Sequence, residues 1–177
     1  MSYDTLCQEV RAEFPDFKLV PKLGSRLMRA IDLFLRVLSF GRADGFMADY
    51  TTTLGTTLYT PLCWGLMSEW QRMSILRHER VHMRQARRYT GLLFSLAYLL
   101  LPLPVGVAYC RAKFEMEAYE ESIRARFEHF GRAGLSAEFR EEILSQFTGA
   151  AYLWMWPFRA DLERWYDNVV ARITASR

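Results

Sequence analysis

His78, Glu79 and His82 spell HERVH, an instance of HExxH. On a helix, positions i and i+4 diverge by only about 40°, so both imidazoles leave the same face and can ligate one ion. The glutamate beside the first histidine sits at the edge of that face, in reach of a metal-bound water. The chemistry that this spacing suggests is metal-assisted hydrolysis, with the carboxylate as general base. The plain alternative is a pair of core histidines satisfied by ordinary hydrogen bonds. With three histidines in 177 residues, chance yields the motif on the order of a few times per thousand such chains. Two imidazoles turned toward an apolar interior are also hard to satisfy without an ion or a carboxylate.

A catalytic zinc site needs a third protein ligand and an open position for water. Gln85 and Arg88 occupy the places where a metzincin continuation has glycine and histidine, so the third donor must come from elsewhere. His129, between Phe127 and Phe130 near the end of its helix, is a weak candidate, and a carboxylate leads. In the stretch FEMEAY, a helical projection groups Glu117, Glu120, Glu121 and Glu128 with Arg124 on one charged face. Glu115 points the other way, among Ala112, Ala118, Tyr119 and Ile123. A lone carboxylate on an apolar side is costly unless a cation neutralises it. Glu115 is therefore the expected third ligand, with Glu117 as the alternative.

HERVH followed, after a hydrophobic stretch, by EMEAY resembles the gluzincin pattern HExxH…ExxA of membrane-linked metallopeptidases of the CAAX-endopeptidase type. It resembles above all small bacterial metallopeptidases of unassigned substrate. The resemblance spans about Tyr50 to Ser122. It implies a zinc ion held by His78, His82 and Glu115, Glu79 as general base, and a peptide or protein substrate. It also implies that YTTTLGTTLYTP is similar to the strand such enzymes lay beside the active helix. One departure is Tyr119, which stands where an ExxAD signature has an acidic residue; its phenol could orient a ligand or stabilise an oxyanion. Tyr89 is the less favoured oxyanion candidate, and ordinary packing is the competing role for both tyrosines.

The elements that must position these residues follow from periodicity and punctuation. Leu27, Ala30, Ile31, Phe34, Leu35 and Leu38 have the spacing of an amphipathic helix from near Ser25 to Gly41, read as scaffold. Tyr50 to Pro61, dense in threonine and tyrosine around Gly55, reads as a strand or hairpin. Ser68 with Gln71 makes a capping box, opening a helix of about six turns toward Gly91 that carries HERVH. On its wheel Ser74, Ile75, Val81, Gln85, Ala86 and Tyr89 share an uncharged arc with both histidines. Arg77, Arg80, Arg84, Arg87 and Arg88 fall opposite, toward solvent. Further helices are expected at about Arg111 to Phe130, Ser136 to Phe147 and Pro157 to Ile173, the last two separated by Tyr152, Trp154, Trp156 and Phe158. The expected fold is α+β and predominantly helical, a single domain in which a zincin-like core sets a small sheet or hairpin beside the HExxH helix.

Gly91 to Cys110 carries no charge, which invites a transmembrane reading, but Pro102, Pro104 and Gly106 break it into arms of about 15 Å, too short to span. A true span would also put His82 and Glu115 on opposite sides of about 30 Å of hydrocarbon, which excludes a shared ion. A buried or membrane-dipping hairpin fits better. Peripheral membrane contact through Leu99 to Val107 or through Trp154 and Trp156 is left open.

The composition is that of a folded domain: 51% hydrophobic, 15% aromatic and 24% charged, with a net charge of +3. Arginines are scattered instead of massed, so a nucleic-acid partner is not expected. Cys7, Cys63 and Cys110 form no CxxC pair and have the wrong parity for a disulfide framework, which suits a reducing, cytoplasmic setting. The acidic amino terminus does not read as an export signal. Two rival functions remain. One is a non-catalytic, membrane-associated helical protein with an accidental HERVH. The other is a degenerate zinc-binding interaction module.

Overall fold

The computed structural model describes residues 2–38, 45–89, 107–149, 156 and 158–175. Six helices and three strands are described: α1 Tyr3–Glu13, β1 Lys18–Pro21, α2 Arg26–Leu38, β2 Thr52–Leu54, β3 Thr57–Thr60, α3 Glu69–Arg88, α4 Val107–Phe130, α5 Ala137–Thr148 and α6 Arg159–Ala175. The fold is predominantly helical with one small three-stranded sheet, as expected of an α+β chain. The chain divides into two compact units, Met1–Met83 and Arg84–Arg177, and the boundary falls within α3.

In the first unit, the threonine-rich stretch forms the expected hairpin. β2 and β3 pair antiparallel, with Thr53 opposite Leu58, and Gly55 turns the chain at φ +60°, a conformation that suits a residue without Cβ. What the composition did not reveal is β1, which pairs parallel with β3 and makes it the central strand. Thr56 holds the hairpin tip to this strand region: its carbonyl accepts from the Lys18 amide, and its hydroxyl donates to the Asp16 carbonyl. Leu58 on β3 is buried with Leu6, Val10 and Phe14 from the α1 region and Leu76 and Met83 from α3.

Helix α1, which the sequence reading did not anticipate, starts on a Ser2 cap and lays Leu6 and Val10 on this core. Its acids also meet α3. The Tyr3 amide donates to Glu69, and Arg80 donates to Glu13 at 2.6 Å and to Glu9 at 3.0 Å. This corrects the helical wheel: Arg80 faces acids of α1 and not open solvent, because the amphipathic face of α1 needs a surface to pack on.

Helix α3 opens on the capping box the sequence announced. The Ser68 hydroxyl accepts from the Gln71 amide at 3.2 Å, and the Gln71 side chain accepts from the Ser68 amide at 2.8 Å. Helix α2 begins where expected, with the Ser25 hydroxyl accepting from the Met28 amide. The stripe read as its inner face is only partly covered, with Leu27, Ala30 and Phe34 exposed and Ile31 and Leu35 half-buried. Met28 is buried, but Leu27, Leu33, Phe34 and Val37 are exposed.

In the second unit, α4, α5 and α6 share one core around Ile123, Ile143, Leu144, Phe147, Leu162 and Val169. Ser136 caps α5 by accepting from the Phe139 amide. Gly131 ends α4 at φ +63°, where an L side chain would be strained. Among the described residues, no helix is long and apolar enough to cross a membrane. The expected apolar hairpin of 91–110 lies outside the described residues except for 107–110, the start of α4, and Tyr152 and Trp154 lie outside them too.

Candidate metal centre

The capping box and the uninterrupted run of helix formers after it keep α3 helical through both histidines. The two imidazoles leave the same side of the helix: their Nε2 atoms are 3.1 Å apart, and their rings meet edge-on with centroids 4.9 Å apart. His82 is buried at 6% exposure, while His78 is half-buried. The two nitrogens are within hydrogen-bonding distance of each other, a separation that two ligands of a single ion would also have.

Glu79 keeps its place at the edge of the histidine face on the continuous helix. It is buried at 8% exposure, and its Oε1 accepts a 2.8 Å hydrogen bond from the Thr51 hydroxyl. Thr51 immediately precedes β2, so the hairpin fixes the orientation of this carboxylate. The sequence reading placed the hairpin beside the helix but had no way to single out Thr51 from its neighbouring threonines.

A second group missed by the sequence reading is Lys22, whose side chain is fully buried in the short 3-10 turn after β1. Its ammonium donates to the Phe46 carbonyl at 2.7 Å and lies 3.6 Å from the Phe46 ring centre. Burial pulls its pKa down to about 8, against the opposing pull of the Glu79 and Asp32 charges. Nothing in the spacing of PKLG marks this lysine as buried.

On α4, the projection of FEMEAY is realised. Glu115 is buried at 2% exposure, whereas Glu117 is exposed and accepts from the Gln85 amide at 2.9 Å. Gln85 also donates to the Phe114 carbonyl at 3.0 Å. The charged face behaves as an ordinary ion-paired surface, with Arg124 and Arg172 on Glu120. Tyr119 is half-buried, its ring 5.4 Å from that of Phe147 at the edge of the second core. Tyr89 is exposed and stacks against Phe114. His129 is exposed against Phe130, about 21 Å along the helix from Glu115 at 1.5 Å per residue.

Comparisons with protein-family models, with curated proteins and with solved structures return no match for this chain. Function is therefore read from the residues themselves.

Proposed function

We propose that this chain is a zinc-dependent metallopeptidase of the gluzincin kind, with a zincin-like core in which His78, His82 and Glu115 hold the metal. The observation that carries the reading is the 3.1 Å separation of the two Nε2 atoms on α3. Two nitrogens each about 2.0–2.1 Å from one zinc, at an angle of about 100°, stand about this far apart. Among the described residues, His78, His82 and Glu115 form a group of the donor types that could hold a metal ion. Two neutral imidazoles and one carboxylate suit zinc and leave a fourth position for water.

Burial favours Glu115 over Glu117, since an exposed acid is solvated by water and needs no cation. Helix continuity supports the same choice. Gln85 lies one turn beyond His82 on the unbroken α3 and binds the carbonyl of Phe114, the residue before Glu115.

Bound zinc would polarise a scissile carbonyl and acidify a water molecule. Glu79 would take the proton of that water through the carboxylate oxygen left free by Thr51, then deliver it to the leaving amine. Thr51 keeps the carboxylate from rotating away.

The test is metal analysis of the purified protein by mass spectrometry, paired with turnover on a library of quenched peptides. Near-equimolar zinc is expected, lost in His78→Ala and kept in Glu79→Gln, with peptide cleavage falling by at least about 10²-fold in both. A protein without zinc would favour an accidental HERVH. Zinc without any Glu79-dependent cleavage would favour a non-catalytic zinc-binding module.

A further inference from the structure

Helix α2 has an apolar face that the first unit does not bury. At 100° per residue, Leu27, Leu33, Phe34 and Val37 fall within an arc of about 120°. Phe34 is 54% exposed and Val37 67%. Met28, on the far side of the helix, is the residue that enters the interior. Arg26 and Arg29, both exposed, flank one edge of this arc, and Arg36, farther round, is paired with Asp32 at 2.9 Å.

The apolar surface continues beyond the helix. Leu23, just ahead of α2, lines a cavity of about 260 Å³ together with Leu62, Trp64 and Gly65 of the short 3-10 turn that follows β3. The same turn ends at Leu66, which is 91% exposed. Exposed leucines and phenylalanine are costly in water, and the exposed Arg26 and Arg29 beside those of α2 favour an anionic cover.

We propose that α2 docks this protein on an anionic lipid surface, lying in the plane of the headgroups. Leu27, Leu33, Phe34 and Val37 enter the acyl boundary, while the exposed Arg26 and Arg29 pair with lipid phosphates. Apolar insertion and basic attraction supply the two signals that reversible anchoring requires. This assignment is independent of the metal centre and concerns a different part of the chain from the apolar stretch after α3.

The experiment is co-sedimentation of the full-length protein with vesicles of phosphatidylcholine, with and without phosphatidylglycerol, at low and at high salt. Binding is expected on the anionic vesicles, weakened as salt rises. Leu33→Glu with Phe34→Glu should lower partitioning by at least about tenfold, and Arg26→Gln with Arg29→Gln by about fivefold per arginine on anionic vesicles alone. All four positions are solvent-facing or nearly so, and circular dichroism should report an unchanged helical content. The proposal is overturned if the wild-type chain ignores vesicles, or if the Leu33/Phe34 double variant binds like wild type. It is equally overturned if sedimentation velocity finds a vesicle-free dimer that the double variant abolishes, since a second copy would then be the occupant.

Discussion

Three side chains around HERVH do different work, and substitution separates them. Glu79→Gln preserves shape and hydrogen bonding to Thr51 but removes the base. Peptide turnover should fall by about 10²–10⁴-fold with zinc content unchanged, read by steady-state kinetics beside metal analysis. Thr51→Val removes the donor that orients the base, so kcat should fall by roughly tenfold while zinc stays bound. Lys22 makes a prediction in pH. Its pKa in the folded chain, about 8, lies below that of a free lysine, so the unfolded chain binds more protons between these values. Stability from this group is therefore lowest below about pH 8 and recovers as pH rises toward the free value. Chemical denaturation of Lys22→Met and wild type should show the variant gaining relative stability at pH 7 and losing that advantage near pH 10. A constant difference across this range would show that the Lys22 charge is not the destabilising feature.

At the scale of elements, α3 owes its start to a reciprocal pair of side-chain bonds, which ties the register of the histidines to a local device. Ser68→Ala should cost about 1 kcal/mol, or about 2–4 °C in Tm for a chain of this size, measured by thermal melting. The hairpin is coupled to the site in another way. Gly55 closes the turn at positive φ, β2 follows Thr51, and Thr51 holds Glu79. The capping box, the hairpin and the α4 carboxylate pattern were legible because each depends on residues a few positions apart. Strand β1 and helix α1 were not. The four residues of KLVP are too short and mixed to declare a strand, and their pairing with β3 joins positions 39 apart, such as Lys18 and Thr57.

For the whole molecule, each unit has its own core, and metal should add to stability only through the residues that hold it. A chelator is expected to lower the Tm of wild type and leave His78→Ala unmoved, because a ligand that binds only the folded state stabilises by mass action. Equal melting of wild type with and without chelator would argue against a bound metal. By itself, the amino-acid sequence determined the helical phase of His78 and His82, the start of α3 after Ser68, the threonine hairpin and the inward side of FEMEAY, consequences of i to i+4 spacing, a local cap and a local turn. Only tertiary structure decided that Glu79 meets Thr51, that Lys22 is buried under Phe46, that Arg80 meets the acids of α1, and that α2 keeps its apolar face outside. Those outcomes depend on which distant segments come together. A periodic pattern records that a face is apolar or charged, but the same pattern is compatible with a core, a partner helix or a lipid surface.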